Sequence, residues 1–206
     1  IEEVQKSLNV KSLVLENPRF GFLNSLGVGW DCFLAKFAKK PFVLVGAIKE
    51  NRIKEVLNYF YTTDLQPLRI EPAPYAALRS SFLYKKVIKK DRPEIRIIIG
   101  KENLLVVLCC NKIPLTWEFI DYNNENFKDK LFSSIHFVTV FEAMHLKIGE
   151  TENIIVQGAT EEQIQLIKNT FSQNIIVSDG PPYNGFLISA GLAIGASDAE
   201  IQTINL

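Results

Sequence analysis

The chain has 206 residues, of which 47% are hydrophobic and 22% are charged. This length and composition exclude a disordered or fibrous chain and suffice for one large or two small globular domains. Lys+Arg and Asp+Glu balance at 23 each. No basic excess indicates a nucleic-acid partner, so none is expected. The basic residues between positions 85 and 92 are predicted to form a solvated linker, because they follow a helix and precede Pro93.

The cysteines and the lengths of the apolar runs exclude further classes of protein. Cys32, Cys109 and Cys110 lack metal-ligand spacing, and adjacent residues of a strand point to opposite faces. We expect three reduced, buried thiols. No apolar run reaches the roughly 20 residues of a membrane helix. Because the chain begins with Ile1 and has no signal-peptide pattern, we expect it to be an excised domain of a longer protein.

The first part of the chain is predicted to form a small α+β subdomain with a connecting helix, over residues 1–90. Residues 30–38 and 41–48 are predicted to be two strands of a hairpin. Apolar residues recur at a 3.6-residue period between positions 53 and 60, which predicts a helix. A short strand at 68–70 and a helix that starts at Pro72 and Pro74 complete this part.

The second part, residues 91–206, is predicted to form a ribonuclease H-like α/β domain. Strands are predicted at residues 95–99, 104–110 and 115–120. The tight turns at Gly100–Asn103 and Asn111–Lys112 make these strands an antiparallel meander.

A helix–strand–helix–strand–helix order follows the meander. The helices are predicted at residues 124–146, 161–171 and 185–196, and the strands at 154–156 and 175–177. The first helix has an apolar stripe that extends to Met144. In a ribonuclease H-like layer, the later strands run parallel beside the meander and helices cover both faces. If residues 154–156 do not lie parallel beside the meander, an unrelated two-lobe α/β binding domain is the alternative interpretation.

Six short segments occur in an order shared with a known family: residues 43–50, 65–72, 74–82, 95–100, 156–160 and 191–195. Together they resemble the actin-like ATPase-fold proteins of bacterial pilus and secretion machines. These are the PilM proteins of type IV pilus assembly, the cytoplasmic domain of GspL in type II secretion and, more distantly, FtsA. The resemblance implies an actin-like (ribonuclease H-like) second lobe with a smaller α+β subdomain before it.

The resemblance also implies two turns of a nucleotide site. Gly100 and Lys101 occupy the second phosphate loop, and Gln157, Gly158 and Thr160 occupy the adenosine turn. Relatives that hydrolyse ATP have an Asp before the first glycine and hydroxyl residues after it, which are missing here. Glu102 instead stands where phosphate oxygens would lie, and two like charges repel without a bridging metal. The implied site is therefore degenerate, with no catalytic residue and no metal, and ATP with Mg²⁺ is disfavoured as a cofactor.

Local patterns offer simpler interpretations of several candidates. Thr160 followed by Gln163 predicts a capping box at the start of a helix. We favour this interpretation over nucleotide binding, which stays an alternative. His136 and His145 are nine positions apart, not at the i,i+4 spacing of a helical metal pair.

Ile204-Asn205-Leu206 resembles the Ile-Asn-Leu-Leu motif of PilN-type and GspL-type partners. This likeness implies a domain that is cut before a membrane helix. The favoured hypothesis is a non-catalytic cytoplasmic scaffold at the inner membrane, within a type IV pilus or type II secretion platform. Its expected partners are platform proteins and the secretion ATPase, with membrane association through flanking segments or a partner, and with oligomers allowed. The competing hypothesis is a nucleotide-binding actin-like ATPase or switch whose remaining site lies outside this chain.

Overall fold

The computed structural model describes residues 10–24, 27–37, 40–63, 71–84, 91–178 and 193. The described residues divide into two compact units, with the boundary between Pro72 and Ala73. This division lies inside the first predicted domain, 1–90. The helix that we described as a connection therefore belongs to the second unit.

The first unit is built on a two-stranded antiparallel ribbon. Strands β1 (Val28–Phe37) and β2 (Lys40–Lys49) pair along their whole length, so the predicted hairpin is confirmed. Helix α1 (residues 10–16) and a 3₁₀ helix (Pro18–Asn24) contribute Val14 and Leu23 to a small core around Cys32. The predicted helix α2 (Glu50–Tyr61) is also confirmed and packs against β2. The strand predicted at 68–70 lies outside the described residues.

The second unit contains the predicted meander. Its strands are β3 (Glu94–Ile99), β4 (Asn103–Cys110) and β5 (Ile113–Asp121), and consecutive strands pair antiparallel. Asn111 and Lys112 connect β4 to β5 with φ angles of 50° and 71°. Two successive left-handed residues are typical of a type I′ hairpin turn, whose twist matches that of the strands.

Two further strands extend this sheet on the β3 side. Strands β6 (Asn153–Gln157) and β7 (Asn174–Val177) give the order β5-β4-β3-β6-β7. β6 runs parallel to β3, and β7 runs parallel to β6. The predicted placement of residues 154–156 is confirmed. The unrelated two-lobe alternative required a different placement of these residues, so it is not supported.

Helices cover the sheet. Helix α3 (Ala73–Tyr84) contributes Leu78 and Phe82 to a core with residues of β3 and β4. All of β3 and nearly all of β4 is buried, so both faces of these strands are covered. Helix α4 (Phe127–Phe141) contacts β4 and β5, and helix α5 (Glu161–Thr170) contacts β7.

The end of α4 differs from the prediction. The regular helix stops at Phe141 and continues as one π-helical turn, Glu142–Leu146. The buried carboxylate of Glu142 accepts the backbone N–H groups of Ile148 at 2.8 Å and Gly149 at 3.1 Å. This contact turns the chain back, and Met144 is left 64% exposed. The assignment of Met144 to the apolar stripe was therefore wrong.

The three cysteines are buried and form no disulfide. Burial raises the pKa of the Cys109 thiol and raises that of Cys110 to about 11. Among the described helices, none is both long enough and apolar enough to cross a bilayer. The helix predicted at 185–196 lies outside the described residues except for Ala193, which is helical. Residues 204–206 also lie outside them.

Candidate functional site at the carboxyl edge of the sheet

Four strands of the second unit end at one edge of the sheet. β3, β6 and β7 are parallel, and β5 has the same direction because β4 reverses between it and β3. In open α/β sheets, ligands commonly bind outside the carboxyl ends of the strands. Gly100 and Lys101 follow β3, and Gly158 and Thr160 follow β6. Because Ile98 pairs with Gln157, the two turns leave neighbouring strands.

The turn after β3 is closed by its own backbone. The Gly100 N–H group donates to the Asn103 carbonyl at 2.8 Å. The Tyr122 hydroxyl donates to the Gly100 carbonyl at 2.7 Å, and the Tyr122 N–H group donates to the Glu102 carbonyl at 2.9 Å. A Cβ atom on residue 100 would lie 2.3 Å from Oδ1 of Asn103, so a larger residue here would force the Asn103 side chain to move. The Gly100 N–H group is thus committed to the turn and does not point toward an anion.

The side chains of this turn border an open depression of about 750 Å³. The depression is lined by Lys101, Glu102, Asp121, Tyr122, Asn123 and Asn124. Two carboxylates and one ammonium group face it, a balance that does not favour phosphate. Asn123 Oδ1 accepts the N–H groups of Glu125 and Asn126, so that amide oxygen serves the entry to α4.

The turn after β6 is closed by side chains. The Thr160 hydroxyl accepts the Gln163 N–H group at 3.3 Å, and Gln163 Oε1 accepts the Thr160 N–H group at 2.9 Å. This arrangement is the predicted capping box, which is confirmed. Glu161 and Glu162 occupy the first turn of α5, where carboxylates interact favourably with the helix dipole. The positive end of α5 is thus already matched by negative charge.

Gln157 lies beneath this edge. Its side chain is 1% exposed and accepts a hydrogen bond from the Ser81 hydroxyl of α3. Its Nε2 group lies 3.5 Å from the Ser178 hydroxyl, just after β7. Of the candidate residues, Gln157 therefore serves the packing of α3 against the strand ends, whereas Lys101 and Thr160 are exposed.

A buried ion pair adjoins Gln157, and our sequence analysis missed it. Arg96, in the centre of β3, is 0% exposed and binds Glu94 Oε1 through Nε at 2.8 Å and Nη2 at 2.7 Å. Its Nη1 group donates to the Ser81 hydroxyl at 2.7 Å, and its Cζ atom lies 3.9 Å from the centre of the Phe82 ring. A sequence signal existed, because an arginine in a strand buried on both faces requires a partner and Glu94 is two positions earlier on the same face.

No metal centre is found within the described part of the chain, where no three His, Cys, Asp or Glu side chains cluster in a way that could hold an ion. His136 and His145 are both exposed. The His145 ring packs instead on Phe141, with ring centroids 5.0 Å apart.

The mixed five-stranded sheet and its helices define the class of this unit: an α/β domain of the actin-like, ribonuclease H-like type. No family model matches the sequence, and no curated protein matches it at a significant level. Similarities of this chain to individual proteins therefore come from comparison with solved structures.

The chain is similar to a chain of the PilM-PilN type IV pilus biogenesis complex, with 16% identity and a TM-score of 0.59, over 91% of this chain and 72% of that one. A second similar structure is a Bacteroides thetaiotaomicron protein described as having an actin-like ATPase fold and unknown function. Its identity is 12% and its TM-score 0.43, over 91% of this chain and 65% of that one. The resemblance predicted from the sequence is confirmed for the fold.

Proposed function

We propose that this chain is a non-catalytic scaffold module of a bacterial type IV pilus or type II secretion platform. It binds partner assembly proteins through its surface and catalyses no reaction. Its partners are platform proteins and the secretion ATPase, on the cytoplasmic side of the inner membrane. The fold that it shares with a chain of the PilM-PilN complex supports a partner-binding role of this kind.

The closed turn after β3 carries the non-catalytic part of the proposal. A phosphate loop works by presenting unpaired N–H groups to the anion. Here the Gly100 N–H group is bonded to Asn103, and the Tyr122 hydroxyl holds the Gly100 carbonyl. Opening the turn for a phosphate would require breaking these bonds and bringing the anion beside Glu102.

The turn after β6 supports the same conclusion independently. The capping box already uses the Thr160 and Gln163 N–H groups. A phosphate at this helix start would also meet Glu161 and Glu162, whose charge is of the same sign. In both turns, the N–H groups of Gly100, Thr160 and Gln163 are bonded within the protein itself.

The second candidate function is a nucleotide-binding ATPase or switch, with further site residues outside this chain. The observation that favours it is the convergence of four strand ends at one edge, which is the common location of nucleotide sites in open α/β sheets. In this case the two turns would have to rearrange when the ligand binds.

Thermal unfolding with millimolar Mg-ATP tests the non-catalytic part, with Mg²⁺ alone as the control. We expect no change in Tm, because the Gly100, Thr160 and Gln163 N–H groups are already bonded within the protein and Glu102, Glu161 and Glu162 would repel a phosphate. A Tm that rises with Mg-ATP concentration, as binding to the native state requires, would favour the nucleotide switch and overturn the scaffold proposal.

Peptide binding tests the pilus or secretion part. The probe is a fluorescent PilN-type peptide that contains the Ile-Asn-Leu-Leu motif, and a scrambled peptide of the same composition is the control. We expect saturable binding of the first peptide only. Equal binding of the two peptides, or of neither, would contradict the proposed partner class while leaving the result with Mg-ATP intact.

A further inference from the structure

A continuous chain of buried hydrogen bonds joins the end of β6 to helix α3. We define the Ser81 relay as Arg96, Ser81, Gln157 and Ser178. Three of its side chains are at most 1% exposed, and Ser178 is 6% exposed. Its members come from β3, α3, the end of β6 and the residue after β7, so the relay crosses four separate parts of the fold.

The chemistry of the groups fixes the direction of the relay. A guanidinium group can only donate, so Arg96 Nη1 donates to the Ser81 hydroxyl oxygen. The single hydroxyl proton of Ser81 then points to Gln157 Oε1. This bond fixes the amide of Gln157 with Nε2 toward Ser178. Each bond therefore determines the next, and hydrogen bonds in such chains polarise and strengthen one another.

The ion pair orients the relay but does not join the elements. Glu94 and Arg96 are on the same strand, so their contact holds the guanidinium group in position without linking β3 to anything else. The links to α3 are the Arg96 hydrogen bond to Ser81 and the stacking of the guanidinium group on Phe82. The side-chain link from α3 to β6 is the hydrogen bond that the Ser81 hydroxyl donates to Gln157 Oε1.

We infer that the Ser81 hydroxyl couples the end of β6 to helix α3, so that a change at Gln157 alters the stability of α3. Gln157 directly precedes Gly158, the first residue of the turn. α3 begins at Ala73, where the second unit begins. The relay thus gives any ligand or partner at the turn a physical connection to the helix by which the chain enters this unit, whichever of the two proposed functions holds.

Ser80 provides a matched control for Ser81. The two serines are adjacent in α3 and both are 0% exposed. Within the described part of the chain, the Ser80 hydroxyl has no hydrogen-bond partner. Ser80→Ala and Ser81→Ala therefore remove the same atom from the same helix, but only the second interrupts the relay.

Hydrogen–deuterium exchange of the α3 amides tests the coupling when Gln157→Met is introduced into three backgrounds: the unmodified chain, Ser80→Ala and Ser81→Ala. In the unmodified chain and in Ser80→Ala, we expect Gln157→Met to speed exchange of the α3 amides at least about fivefold. The free energy that corresponds to this change lies within the range of coupling energies for residues in one network. In Ser81→Ala, we expect Gln157→Met to change α3 exchange less than twofold. Exchange of β4, in the same unit, is the reference for global unfolding.

An equal effect of Gln157→Met in all three backgrounds would overturn the inference, since the coupling would then not pass through Ser81. No effect in the unmodified chain would overturn it as well. If Ser81→Ala does not fold, Ser81→Cys replaces it in the same comparison. The thiol has a similar size but donates and accepts weakly, so the same two outcomes apply.

Discussion

The turns after β3 and after β6 leave neighbouring strands at the same edge, but different groups close them. The turn after β3 is held by backbone bonds and the Tyr122 hydroxyl, whereas the turn after β6 is held by the side chains of Thr160 and Gln163. Their glycines also differ, since Gly100 avoids a clash and Gly158 adopts a φ of 79°. Two turns of similar appearance therefore depend on unrelated constraints, and substitutions can separate them.

Gly100→Ala should have the largest effect. We expect the free energy of unfolding to fall by about 2 kcal/mol, because the new methyl group would lie 2.3 Å from Asn103 Oδ1 and 3.3 Å from the Asn103 carbonyl oxygen, so the side chain and the turn must both shift. Urea unfolding followed by circular dichroism measures the change. When Asn103→Ala is added to Gly100→Ala, the double variant should be more stable than the sum of the two single effects predicts. Simple additivity of the two substitutions would show that the contact is not the cause.

Gly158→Ala should cost somewhat less. The left-handed φ of 79° places Cβ close to the following carbonyl oxygen, so we expect a loss of about 1.5 kcal/mol in the same urea titration. Gly158→Asn should cost clearly less than Gly158→Ala, because asparagine tolerates this conformation. If both variants lose the same stability, a packing conflict rather than the backbone angle limits this position.

Tyr122→Phe isolates the side-chain bond of the first turn. We expect a loss of about 1 kcal/mol, because the substitution removes the partner of the Gly100 carbonyl in a residue that is 9% exposed. The ring contact with Phe127, at 5.0 Å between centroids, should be retained. Tyr59→Phe is the control, because Tyr59 is 79% exposed and should lose almost nothing. Equal losses in the two variants would argue against the hydroxyl contact.

Thr160→Ala should have the smallest effect of the four. We expect the free energy of unfolding to fall by about 0.5 kcal/mol, the lower part of the range for helix caps, because the cap is exposed. Thr160→Ser keeps the hydroxyl and should preserve most of the stability. A loss above that of Tyr122→Phe would mean that the cap holds the second turn more strongly than the Tyr122 hydroxyl holds the first, which would reverse the expected order.

The strands of the second unit could be predicted because their signals are local. β-branched runs, the Asn111–Lys112 turn and the Gly100 turn lie within or beside the strands that they specify. The capping box could be predicted for the same reason, since Thr160 and Gln163 are three positions apart. In each case, residues close in sequence determine the geometry without help from the rest of the chain.

The polar contacts under the edge could not be predicted in this way. Ser81 and Gln157 are 76 positions apart, and nothing in the sequence around either one indicates the other. The family resemblance made Gln157 a candidate in a degenerate nucleotide turn, while α3 was treated as a connection. The end of α4 was extended too far because the bond from Glu142 to the following loop leaves no trace in the apolar period.

The central position of β3 also bears on the order of folding. Only three residues, 100–102, separate β3 from its partner β4. The segment between β3 and its other partner, β6, is much longer and comprises residues 100–152. Closing the longer segment costs more chain entropy, so the meander is the region able to nucleate the unit. Substitutions that shorten a buried side chain of β4 to valine or alanine should therefore mainly slow refolding. The same kind of substitution in β6 should mainly speed unfolding, and stopped-flow experiments measure both rates.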